Sequence, residues 1–109
     1  MGHLLKNIPE QLPEELFETI LKRPGFKLER ILSKGHATPA GQWYDQDVDE
    51  WVLLLKGGAG LRIENRADEF ILRPGDHLLL PAHCRHRVEW TAADSETVWL
   101  ALHYSSRMP

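Results

Sequence analysis

The chain lacks most of what would complicate a small fold. It has a single cysteine in 109 residues, so no internal disulfide can form. It has no apolar run near the roughly 20 residues that cross a bilayer. Neither sign of charge dominates: 13 Lys and Arg are interspersed with 16 Asp and Glu, for a net charge of −3. No basic stripe marks a nucleic-acid partner. The opening MGHLLKNIPE has no basic, apolar and small-residue succession of a signal peptide. Lys6 stands where a myristoylation signal needs a hydroxyl residue. Repeats, low-complexity tracts and linkers are absent too. These absences set the expectation of one soluble, cytoplasmic domain with no membrane or nucleic acid among its partners. A chain this long buries roughly two-thirds of its unfolded surface, enough for one core.

What is present is organised around Arg73 to Trp90, RPGDHLLLPAHCRHRVEW. Pro74-Gly75-Asp76 is a turn signal, because Pro fixes φ, Gly accepts positive φ and Asp bonds its own backbone. His77 to Leu80 reads as a short strand stopped by Pro81. His83 to Arg87 then gathers two His and two Arg around Cys84, and Val88 and Trp90 resume a strand. A polar corner between two strands is where a β-scaffold presents chemistry.

Residues 1–25 are expected to form an arm and a short helix. Pro13-Glu14-Glu15 suits a first helical turn, and Leu16, Phe17, Ile20 and Leu21 recur at helical spacing up to Pro24-Gly25. From Phe26 the period becomes two, as in a strand. Ser33 to Gln42 reads as loop, and DEWVLLLK, ending at Lys56, is the strongest strand. Its Val52-Leu53-Leu54-Leu55 run has no polar face, which predicts cover on both sides. Gly57 to Gly60 reads as a connection, not a phosphate loop, since no Lys-Ser/Thr and no helix pattern follow. Asn65 to Asp68 reads as a hairpin turn, Thr97 to Tyr104 as a last strand, and 105–109 as a tail. About seven or eight short strands with frequent turns predict a β-sandwich or barrel over residues 26–104.

Two spacings in this region resemble the motifs of the cupin superfamily, small jelly-roll barrels also described as double-stranded β-helices. Six residues separate Glu50 from Gly57, as at the end of the first cupin motif. Gly75, Pro81 and His86 fall at the positions of the second. The resemblance implies a barrel whose Glu50 and His86 point inward, and in metal-bearing cupins both would bind one metal. It also implies a homodimer. The chain departs from the motif where two further His would stand. Those positions are Tyr44 and Gln46, or Trp43 and Asp45 with one more residue between; strand parity favours the first pair, which shares a face with Glu50. His83 stands where the second motif has Gly, and Trp90 where it has Asn.

The resemblance leaves three chemistries open. The first is a divalent metal (Zn, Fe(II), Mn or Ni) held by Glu50, His86 and a third group, Gln46 or His83, with Tyr44, His77 and His103 behind them. It would act on or recognise a small polar molecule, with no organic cofactor. The second is a metal-free small-molecule binding module in which Glu50 and His86 are a buried pair. The third is an isomerase- or epimerase-type enzyme using Glu50–His86 as acid and base with Tyr44 as a phenolic donor. Cys84 reads as a small packed group, His36 as solvated, and His77 and His103 as packed strand histidines. Asp45, Asp47 and Asp49 read as a solvated loop edge. By parity, Trp51 should face away from the cavity, and Val88 and Trp90 should line it with His86.

Overall fold

The structure, a computed structural model, describes residues 1–105. They form eight strands: β1 (Leu16–Arg23), β2 (Phe26–Ser33), β3 (Asp49–Lys56), β4 (Ala59–Ile63), β5 (Glu69–Leu72), β6 (His77–Leu80), β7 (His86–Thr91) and β8 (Thr97–Tyr104). Two antiparallel sheets, ordered β1-β2-β8-β3-β6 and β5-β4-β7, face each other across the core. The expected all-β barrel is therefore present. Among the described residues no helix is long and apolar enough to cross a membrane.

Strand parity decides what each sheet turns inward. On β3, Glu50, Val52 and Leu54 are buried while Asp49, Trp51 and Leu53 are half-buried, so one face is sealed and the other partly covered. Val52, Leu54, Leu61, Leu72, Leu80 and Trp99 pack together between the sheets, and Cys84 packs against them. At the β3–β4 connection Gly57 has φ 89°, and a Cβ there would strike the Thr97 Cα and the Glu96 carbonyl. Asp76 closes the turn before β6, its carboxylate accepting from Arg73 N–H at 2.8 Å.

The expected N-terminal helix is not there. Residues 16–23 form the edge strand β1 of the larger sheet. Its pairing with β2 shifts register between Thr19 and Leu21, so Ile20 is an extra residue in a bulge. One inserted residue breaks a period of two and leaves apolar residues at spacings that mimic a helix. The arm before β1 lies along the larger sheet, held by the buried Arg30. The Arg30 guanidinium donates to the carbonyls of Leu4, Lys6 and Asn7 at 3.1, 2.6 and 3.2 Å, and to Glu18 at 2.6 Å.

A second bulge corrects the expectation for Trp90. Gly60 pairs with Trp90 but Leu61 pairs with Val88, so Glu89 is the extra residue in β7. Val88 therefore turns inward with His86, whereas Trp90 turns outward and lays its indole over Gly60. Trp51 does face away from the cavity, against the His77 ring at 5.5 Å. His36 is half-buried, not solvated, and its Nδ1 accepts from Lys34 N–H at 2.9 Å. Of the expected tail at 105–109, residues 106–109 lie outside the described residues.

Candidate active site

Between the sheets lies a cavity of about 880 Å³ that opens at one end of the barrel. Apolar side chains, among them Ile31, Leu61, Val88 and Trp99, line part of it, and the polar groups gather near the mouth. Glu50 and His103 stand opposite each other on β3 and β8, and Glu29 lies on β2 beside them. His86 comes from β7, in the other sheet.

The long loop between β2 and β3 is fixed before it reaches the site. Thr38 exchanges hydrogen bonds with Val88, its N–H donating to the Val88 carbonyl and its Oγ1 accepting from Val88 N–H, each at 2.9 Å. Arg87 donates to the carbonyls of Thr38, Pro39 and Gln42 and lies 5.8 Å from the Trp43 ring centre. Tyr44 then pairs with His86 backbone to backbone, at 2.7 and 3.1 Å, and the two rings stack 5.5 Å apart. Tyr44, Gln46 and Glu50 all line the cavity, and so do Asp45 and Asp47 from the same loop. Arg87 is thus a positioning residue that the sequence did not single out.

His86 and Glu50 are both buried, at 6% and 7% exposure, and their Nε2 and Oε1 atoms are 3.5 Å apart. The His86 Nδ1–H donates to the Cys84 carbonyl at 2.9 Å, which leaves Nε2 directed at Glu50. Burial alone pushes the His86 pKa down, but Glu50 and the Cys84 carbonyl outweigh it and the pKa ends above its ordinary value. Burial, followed by the charges of Glu15 and Glu50, raises the Tyr44 pKa. Its phenol therefore keeps its proton and can donate it in a hydrogen bond.

Two residues reinforce this pair that sequence reasoning set aside or missed. His103 was expected to be a packed histidine, yet it lines the cavity. Its Nε2 donates to Glu29 Oε1 at 2.9 Å, and lies 3.8 Å from Glu50 Oε2. Glu29 was not singled out; it is buried and faces the same space. Gln46 joins the two pairs, its Nε2 donating to Glu50 at 3.2 Å and its Oε1 meeting His103 Nδ1 at 3.1 Å. His83, by contrast, sits at the rim with φ 62°. Its ring is mostly exposed and pairs with Asp45 at 3.0 Å. His77 lies outside the cavity.

Of the metal centre implied by the resemblance, the described residues bring together two candidate ligands. Glu50 and His86 face each other as two ligands would, but Gln46 and His103 are engaged with Glu50 and Glu29. Among the described residues no three His, Cys, Asp or Glu side chains form a metal-ready group. A tight site wants three protein ligands.

The architecture has close counterparts among solved structures. A protein named "putative mannose-6-phosphate isomerase" from Ralstonia eutropha JMP134 superposes with a TM-score of 0.95 and is 47% identical, over 97% of this chain and 98% of that one. A cupin superfamily protein from Desulfitobacterium hafniense DCB-2 matches at TM-score 0.73 and 17% identity, over 91% of this chain and 84% of that one. The chain has the cupin fold. The cupin domain of Schizosaccharomyces pombe Cnp3 has the same fold, with TM-score 0.76 and 14% identity over 96% of this chain and 69% of that one. No family model and no curated protein matches this chain.

Proposed function

We propose that this cupin is an isomerase-type enzyme that moves a proton on a small polar hydroxy-carbonyl compound held in its barrel. The observation that carries the reading is the Glu50–His86 pair. It is buried, 3.5 Å apart and drawn from opposite sheets, at the wall of an open cavity. The class of reaction also appears in the name of the 47% identical neighbour.

The residues divide the work as follows. The Glu50 carboxylate takes the proton from the carbon beside the carbonyl, and the C–H electron pair becomes the C=C bond of an enediol. His86, whose raised pKa favours the imidazolium, gives its Nε2 proton to the carbonyl oxygen. Returning the carbon proton to the neighbouring carbon, and the hydroxyl proton to His86, completes the isomerisation without a redox partner. Tyr44 supplies a neutral donor, and Glu29–His103 holds the Gln46 amide against Glu50.

The test is hydrogen exchange. Chelator-treated protein is incubated in D₂O with a panel of aldoses and ketoses, and deuterium uptake is read by mass spectrometry. We expect uptake beside the carbonyl of at least one compound, slowed roughly 100-fold or more in Glu50→Gln. No uptake, or equal uptake in the variant, would sink the reading.

A divalent metal at Glu50 and His86 is the alternative. The anchoring of His86 Nδ1 on a carbonyl favours it, because ligating histidines are oriented in this way. It requires a third ligand, and metal content of untagged protein, with and without His86, decides it. The expected homodimer has a candidate surface in the edge strand β1, where Ile20 and Leu21 are exposed; sedimentation tests that assembly.

A further inference from the structure

The inner face of the larger sheet carries one row of side chains that runs across the cavity mouth. Lys22 on β1 pairs with Lys27 on β2, Lys27 with His103 on β8, and His103 with Glu50 on β3. Lys22, Lys27, His103 and Glu50 all line the cavity. Lys22 reaches that face only because of the Ile20 bulge. Phe17 and Thr19 oppose Ile31 and Glu29 before the bulge, and without the extra residue Lys22 would point the other way.

Lys22 is exposed there, facing the cavity mouth. Like charges directly opposite on neighbouring strands repel. Lys27 reaches Glu29 at 3.5 Å, but the Lys22 ammonium has no ion-pair or hydrogen-bond partner among the described residues. Arg23, next along β1, also lines the mouth, and its guanidinium meets only the Lys22 carbonyl, at 2.7 Å. The turn that carries these cations is fastened to the end of β8 by Ser105 N–H donating to the Gly25 carbonyl at 2.9 Å. Bulges beside active sites commonly re-aim a side chain. The acids of the mouth, Asp45 and Asp47, lie on the β2–β3 loop, with His83 on Asp45.

We propose that Lys22 and Lys27 form an anion subsite, so that the ligand of this cavity is a small molecule with a terminal phosphate or carboxylate. The inference deepens the isomerase reading by naming the substrate class. Neighbouring strands lie about 4.8 Å apart, so Lys27 and Glu50, two strands away, are separated by roughly 10 Å. That span suits a chain of a few carbons between the anion and the reacting carbonyl. The anion stays at the mouth because Glu29 and Glu50 make the inner wall negative.

The experiment is calorimetric titration at low ionic strength, where exposed charges are least screened. The probes are inorganic phosphate, glycerol 3-phosphate, glycerate and glycerol. We expect phosphate and at least one organic anion to bind and glycerol not to. Glycerol 3-phosphate against glycerate distinguishes the two anion sources. Lys22→Ala should weaken binding about fivefold and Lys22→Glu further. Arg66→Ala, on the far hairpin, should change nothing. The Lys22 side chain is exposed, and thermal melts confirm that its variants fold. Absence of binding, or equal binding in all variants, would overturn the subsite. Binding that depends on Lys22 without any deuterium uptake would sink the isomerase reading alone, and uptake without such binding would sink only the subsite.

Discussion

Glu29 and Arg30 are neighbours on β2, and each is nearly inaccessible, at 6% and 7% exposure. One faces the cavity and the other the outer side of the sheet. Arg30 is enclosed by backbone carbonyls of the arm and by Glu18, so its donors are committed to holding the chain in place. Glu29 has a histidine and a lysine as partners and open space beside it. A buried charge ringed by backbone acceptors is structural. A buried charge among titratable partners at a cavity wall is where protons can move.

If this contrast is right, changes on the two faces should separate chemistry from stability. The largest effect expected is on the inner face: Glu50→Gln should slow deuterium uptake by roughly 100-fold or more while shifting the urea midpoint little, because the amide can still bond Gln46. Next comes the outer face. Arg30→Ala should cost about 2–3 kcal/mol in urea unfolding, through the lost arm contacts, and leave uptake rates unchanged. Equal loss of activity in both variants would break the comparison.

A smaller effect concerns pH. The folded pKa of His86 lies above its ordinary value, so the stability it contributes is present below about pH 6.5 and is lost as pH rises through the folded value. Stability measured from pH 6 upward should fall in the parent and flatten in His86→Gln. Smallest of all should be Gly60→Ala. Its new Cβ would strike the Trp90 indole, but that ring is partly exposed and can swing outward, so a loss within about 1 kcal/mol is expected, measured in urea.

Much of the barrel was legible because its signals are local. Pro74-Gly75-Asp76, the Asn65–Asp68 hairpin and the strands of β3 and β8 all stand where turn chemistry and alternation put them. The misplaced helix and the misplaced Trp90 each trace to a bulge. Ile20 turned β1 into an apparent helix, and Glu89 reversed the side on which Trp90 lies. A single extra residue leaves no compositional mark. In the site, motif spacing and parity grouped Glu50, His86, Tyr44 and Gln46, and all four line the cavity. Glu29 carried no such mark, and its bond to His103, named only as a reserve ligand, spans 74 residues of sequence through a β2–β8 pairing that no local pattern encodes. The one available hint was a charged pair, Glu29-Arg30, in the middle of the strand, flanked by Leu28 and Ile31.

The position of Trp99 gives the barrel an optical reporter. Of the four tryptophans it alone is buried, at 4% exposure, and it also lines the cavity. Its emission belongs to a dry, apolar setting, while those of Trp43, Trp51 and Trp90 report on wetter ones. A molecule settling in the barrel would alter the blue edge of the fluorescence spectrum and leave the red edge in place, so occupancy can be followed by light without a label.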